Sequence, residues 1–428
     1  MFLQVTENMR MKRILLSAIL VFIVYWVQGA YLLIPMDESQ KNHLKSYGIA
    51  YWVLSKDIEV KWLLNYRGGS FLIQHYPDIQ AECVIRGVSF ENLSDAHANG
   101  ILNEIASPDV NQDAVSMFKA PKIAVYSPPN KLPWDDAVTL VLTYAEIEYD
   151  IVYDEEIMNG KLSDYDWLHL HHEDFTGQHG KFWRTYQHMP WYQEDVRLNR
   201  QLAERLGFLK VSEMKLAVAS EMKKYVSNGG FLFAMCAATD TYDIALSAAG
   251  IDIVESMFDG DPAYPDMNEK LDYSRTFAFR NFQLVKDPNI YEFSDIDVTD
   301  TRMVLRENDY FTLFEFSAKW DPIPTMLCQN HNNVIKGFMG QTTAFRKDLI
   351  KSDVVIMGEN KALNEARYIH GEQGQGFWTF YGGHDPEDYR HLVGDPATDL
   401  NLYPNSPGYR LILNNVLFPS AKKKKQKT

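Results

Sequence analysis

The sequence predicts an α/β protein built on an open, mostly parallel sheet. Apolar runs of strand length recur at Lys122 to Ser127, Ile151 to Tyr153, Trp167 to His171, Phe231 to Met235 and Phe377 to Tyr381. Stretches with helical spacing separate most of them, and Gly- and Asn-rich turns punctuate the joins. A smaller α/β unit is expected ahead of this sheet, over residues 31 to 118, and a β-rich insertion within it, at about 251 to 333.

Taken in order, Arg10, Lys12 and Arg13 precede the apolar run Ile14 to Val27, and Gly29-Ala30 follows with small residues. Residues 1 to 30 therefore read as a cleaved signal peptide, because about fourteen apolar residues are too few to span a bilayer comfortably. An exported protein is expected, with no stable membrane span once that segment is removed. Tyr31 to Pro35 reads as a strand, Glu38 to Leu54 as a helix, and Ile58 to Tyr66 as a strand turned by Arg67-Gly68-Gly69. A second helix and strand follow through Val88-Ser89-Phe90, so elements alternate.

The larger domain spans 119 to 420. Lys122 to Ser127 opens it, and a helix is expected from Trp134 to Ile147. Met214, Val218, Met222 and Val226 recur at helical spacing, and Asn228-Gly229-Gly230 stops that helix just before Phe231. Turn-rich segments then loosen the pattern until the strand at Val354 to Met357. The basic tail at 421 to 428, with Lys422 to Lys425 and Lys427, reads as a solvated end.

Across 428 residues, 46% hydrophobic and 23% charged, there is ample material for a large core. A formal charge of −15 argues against nucleic acid as a partner, since phosphates would be repelled. The three cysteines, Cys83, Cys236 and Cys328, match no zinc or haem spacing. A Cys83 to Cys328 disulfide would leave Cys236 as the remaining thiol.

Chemistry concentrates where apolar runs end. Phe231-Leu-Phe-Ala-Met-Cys236-Ala-Ala-Thr-Asp240 has the form of a nucleophile elbow, a partly exposed thiol at a sharp turn above a strand end. A helix N-terminus after it would favour the thiolate, although Thr239, Asp240 and Thr241 are good N-caps and predict a helix that starts a few residues late. Far downstream, Gly382-Gly383-His384-Asp385-Pro386-Glu387 places a histidine at a second strand end with acids beside it. Cys236 as nucleophile, His384 as base and Asp385 or Glu387 as orienting acid would make a thiol catalyst.

A third cluster, His169-Leu-His171-His172-Glu173-Asp174, runs off the third parallel strand. His169 and His171 share a strand face and form a candidate metal pair. The same loop is a candidate for substrate contact, with His171, His172, Glu173 and the N–H of Ala237 beside Cys236. Asp259, Asp261 and Asn330-His331-Asn332-Asn333 read as turn chemistry.

With these motifs placed, the region from about Lys119 onward resembles the class I glutamine amidotransferase-like superfamily. That resemblance implies a flavodoxin-like sheet with a cysteine elbow and a late histidine–acid pair. The chain departs from the pattern in three places: Ala234-x-Cys236-x-Ala238 replaces glycines, Glu387 stands one residue further from His384, and the oxyanion loop reads His171-His172-Glu173-Asp174. Tyr51-Trp-Val-Leu54, Trp62 to Gly69, Ala120 to Ser127 and Tyr381 to Glu387 also look like a family of exported bacterial proteins labelled asparagine synthetase B. Genuine asparagine synthetase B uses an N-terminal cysteine and a Ser-Gly-Gly-Leu-Asp-Ser loop for ATP, and here Phe2 follows Met1 and no such loop exists. Glutamine-amide hydrolysis is the share of that reaction the resemblance implies.

The leading expectation is thus an exported, cysteine-dependent hydrolase of a small-molecule amide that needs no cofactor and no metal. The alternatives are a non-catalytic exported binding protein whose pocket is lined by His171, Glu173, Trp183 and Trp191, and a metal-dependent hydrolase using the His169 to Asp174 run.

Overall fold

A computed structural model describes residues 30–128, 136–298, 308–321, 332–337, 340–388 and 395–421. The expected signal peptide up to residue 29 and the lysine tail from 422 lie outside the described residues. No helix among those described is long and apolar enough to cross a membrane.

The N-terminal unit is a five-stranded sheet of β1 (Tyr31–Ile34), β2 (Val60–Leu64), β3 (Ser70–Gln74), β4 (Glu91–Leu93) and β5 (Asp113–Met117), in the order β4-β1-β3-β2-β5. Every neighbouring pair is antiparallel. The tight reversal between β2 and β3 explains part of this: Arg67, Gly68 and Gly69 all have positive φ, at 46°, 75° and 92°. A Cβ on Gly68 would lie 2.2 Å from the carbonyl oxygen of Met36, so only glycine fits. The helix His43–Leu54 covers the sheet, capped by the Asn42 side chain, which accepts from the Lys45 N–H. It starts later than the sequence pattern suggests, because residues before Asn42 are occupied in turns.

The second sheet carries the sequence's parallel signal. β6 (Ile123–Tyr126), β7 (Asp150–Val152), β8 (Trp167–Leu170) and β9 (Phe231–Met235) are joined by mutual parallel pairing in the order β7-β6-β8-β9. The excursion after β9 holds turns, short helices and β10 (Tyr310–Leu313), then β11 (Val334–Lys336), β12 (Phe345–Arg346), β13 (Val355–Asn360) and β14 (Glu365–Gln373). β15 (Gly376–Tyr381) returns beside β9 and parallel to it. The antiparallel strands extend the same sheet beyond β15, in the order β15-β14-β13-β10-β11, with β12 against β14. The protein is therefore mixed α/β, and its strand-forming excursion runs on to Gln373.

β9 is buried along its whole length, which is why it reads as an unbroken apolar run. Val218, Met222 and Val226 of the helix Val211–Ser227 pack on it in one core cluster with Leu232 and Ala234. A second cluster crosses the expected domain boundary, joining Leu44, Tyr47 and Trp62 to Val125, Phe233, Tyr409 and Leu413. Polar contacts reinforce that junction. Tyr47 donates to Asn414 Oδ1 at 2.6 Å, and the buried Arg410 donates to the Gly68 carbonyl at 2.8 Å.

Candidate functional site

The end of β9 makes a strained turn. Cys236 has φ of +51°, a left-handed conformation that costs a non-glycine residue about 1 kcal/mol or more. Hydrogen bonds on both sides hold it there: its N–H donates to Gly383 O at 3.0 Å, and the Ala238 N–H donates to His171 O at 3.1 Å. The N–H of Ala237, between them, takes no part in these two bonds. The expected late helix is corrected, since the helix Ala238–Ser247 begins two residues after the thiol. The hydroxyls of Thr239 and Thr241 do not cap it; they donate to the carbonyls of Cys236 and Ala237, both at 2.7 Å. The expected partial exposure is corrected too, because Cys236 is only 3% exposed.

His384 arrives from the end of β15. The Gly382 N–H donates to Arg367 O at 2.7 Å and the Gly383 N–H to Thr342 O at 3.2 Å, which ties the turn to neighbouring loops. Gly340 lies against both residues: a Cβ there would be 2.8 Å from His384 Cβ and 3.6 Å from Cys236 Sγ. Cys236 Sγ and His384 Cβ thus flank one point.

The two acids next to His384 lie in the turn that carries it. Asp385 accepts from the Tyr409 hydroxyl at 2.6 Å and from the Glu387 N–H at 2.8 Å. Glu387 pairs with Lys336 at 3.1 Å. Both carboxylates are engaged in holding the turn. The His384 ring also meets His171, whose Nε2 lies 2.8 Å from His384 Nδ1.

Behind His171 stands Asp136, which sequence reading did not single out. Asp136 caps the helix Ala137–Tyr144, accepting from the N–H groups of Val138 and Thr139 at 2.7 and 3.2 Å. Its carboxylate also lies 3.1 Å from His169 Nε2 and 3.5 Å from His171 Nδ1. The shared face predicted for His169 and His171 is real, and what it faces is this carboxylate. Burial pushes the Asp136 carboxyl up, but His169 and His171 beside it outweigh burial and hold it well below the ordinary carboxylate range.

Glu173 accepts from the His171 N–H at 3.1 Å. Removal from water pushes its carboxyl up to about 6, against the opposing pull of the two histidines. His172 is exposed, with its ring centroid 4.5 Å from that of His171 and 6.0 Å from that of His384. Asp174 serves its own turn, accepting from Thr176 and Gly180.

A second buried layer supports the elbow. Asp240, on the elbow helix, accepts from the Thr342 hydroxyl at 3.0 Å, and the Thr342 N–H donates to Asp297 at 3.1 Å. Burial, with Asp297 nearby, pushes the Asp240 carboxyl well above its usual range. Tyr291 lies near Cys236, and burial is the larger cause of its raised pKa.

Trp183 lines a separate pocket of about 270 Å³ with His179, Tyr192, Met257 and Phe258, while Trp191 packs against Phe182, Tyr186 and Tyr192. Asp259 and Asp261, with Asp252, surround the Lys210 ammonium at 2.5 to 3.0 Å. Cys83 is a buried free thiol in the N-terminal unit. Cys328, Asn330 and His331 lie outside the described residues; Asn332 accepts from the Val334 N–H, a turn contact.

No family model and no curated protein matches this chain. Among solved structures it is similar to two proteins from Salmonella typhimurium described as cytoplasmic. They are 11% and 12% identical, with TM-scores of 0.33 and 0.34, and each alignment covers 70% of this chain and 100% of theirs. A β-galactosidase from Bacillus circulans sp. alkalophilus aligns at 10% identity and a TM-score of 0.24, over 67% of this chain and 31% of its own.

Proposed function

We propose that this protein is a cysteine-dependent hydrolase of a small amide, exported and glutamine amidotransferase-like. The observation that carries the reading is the strained Cys236 turn, locked by the Gly383 carbonyl next to His384. Backbone strain of this kind persists only where surrounding bonds over-determine it, and strand-end nucleophiles use it to present a thiol away from its own strand. The parallel order β7-β6-β8-β9-β15 supports a flavodoxin-like scaffold, in which sites gather at the carboxyl ends of the strands.

In the proposed reaction, Cys236 Sγ attacks the amide carbonyl carbon as its proton passes to His384. The tetrahedral intermediate collapses, the C–N bond breaks, and the amine leaves with that proton. Water, deprotonated by His384, then cleaves the thioester to release a carboxylic acid and restore the thiol. His171 holds His384 Nδ1, so Nε2 is the nitrogen that carries the proton. Asp136 offsets positive charge on the two-histidine relay, and the Ala237 N–H is the oxyanion donor.

The test is ammonia release from glutamine, asparagine and simple primary amides by the full chain, with mass spectrometry to trap an acyl group on Cys236. Cys236→Ala should abolish both. Hydrolysis by Cys236→Ala at the wild-type rate would end the thiol reading.

A further inference from the structure

The thiol reading gives work to His171 and His384 and none to His172. Yet a ring nitrogen from each of these three residues lies within 4.8 Å of the other two. Two of the three are buried and the third is exposed, so the cluster has a protein side and an open side. We propose that His171, His172 and His384 form a binding site for one divalent ion of the zinc type.

Three features favour this over a chance meeting of histidines. First, the donor set is chemically uniform, and three neutral imidazoles with a face open to solvent suit zinc, nickel or copper rather than magnesium or calcium. Second, His171 already has the outer partner that a metal-binding histidine uses: Asp136 lies 3.5 Å from Nδ1 while Nε2 points to His384. Third, the backbone of the site is fixed in advance. The His171 carbonyl and N–H are held by Ala238 and Glu173, and the residue before His384 is held through both its N–H and its carbonyl. Such pre-ordering lowers the cost of gathering three ligands. A zinc–nitrogen bond of about 2.0–2.1 Å needs only small side-chain rotations from nitrogens this close.

Occupation has a consequence that rests on the thiol reading. A metal on His384 takes the imidazole out of proton transfer and leaves Cys236 without its base. The site then acts as a metal-sensitive brake on the same chemistry.

The experiment is zinc titration of the full chain against a chromophoric chelator, for wild type, His172→Ala and Cys236→Ala. One ion per chain is expected, with affinity lowered at least about tenfold in His172→Ala and unchanged in Cys236→Ala. His172 is exposed, so its replacement leaves the fold intact. No binding to wild type, or equal binding by His172→Ala, overturns the site. Iodoacetamide labelling mapped to the Cys236 peptide separates the two readings. Zinc should slow it in wild type and not in His172→Ala; equal labelling with and without zinc in wild type overturns the brake. A metal-free Cys236 no more reactive than an ordinary thiol tells against the thiol reading alone.

Discussion

His171 Nε2 sits 2.8 Å from His384 Nδ1, joining two histidines that are 213 residues apart in the chain. Through His171 the imidazole of His384 connects to the buried carboxylate of Asp136. In the proposed reaction, a histidine stands where a simple triad would place an acid, and the acid sits one step further back.

That relay makes Asp136 a positioning residue. Asp136→Asn keeps an oxygen for the helix cap but removes the charge facing two histidines. Amide hydrolysis should fall by roughly 10²- to 10⁴-fold, as when the orienting acid of a triad is neutralised. A wild-type pH–rate profile in Asp136→Asn would show that the carboxylate serves the helix only.

The strain at Cys236 predicts an ordering between two inactive variants. Cys236→Gly relieves the φ of +51°, whereas Cys236→Ala keeps it. The glycine variant should be more stable than the alanine variant by about 1 kcal/mol, read from urea unfolding. The reverse order would mean that the turn is not strained.

Gly340 predicts a steric effect on the same pair. Its φ is +131°, and an added Cβ would meet His384 Cβ at 2.8 Å. Gly340→Ala should cost about 1–3 kcal/mol of stability and slow alkylation of Cys236. Unchanged values for both would place Gly340 outside the site.

His179 gives a pH signature away from the relay. Burial, with Arg200 and Lys215 nearby, lowers its pKa from 6.5 to about 4. The folded state therefore binds fewer protons than the unfolded chain between those values. Its contribution is fully present above pH 6.5 and is lost as pH falls toward about 4, up to about 3 kcal/mol. Melting temperatures across that window should fall more steeply for wild type than for His179→Gln. Parallel curves would remove His179 as the cause.

The parallel strands were legible because β9 and β15 are buried on both faces and so read as unbroken apolar runs. The Cys236 turn was legible for a related reason, since small residues must flank a thiol at such a corner. Asp136 was hidden by its other task. An aspartate ahead of an apolar helical run is an ordinary N-cap, and nothing local tells that the same carboxylate also faces two histidines. The turn at His384 also uses the carboxylates of Asp385 and Glu387 for Tyr409 and Lys336, long-range contacts that nothing in the local sequence announces. The threonines after Cys236 misled, for their hydroxyls bond to carbonyls of the elbow instead of capping the helix.

The helix Pro407–Leu417 is buried along most of its length and contacts the N-terminal unit through Asn414 and Arg410. During synthesis, the first sheet must wait with Tyr47 and its neighbours uncovered until residues 407–417 have emerged. Such a chain is vulnerable to premature association while it is being made, and a nascent protein stopped short of residue 407 should depend heavily on chaperones.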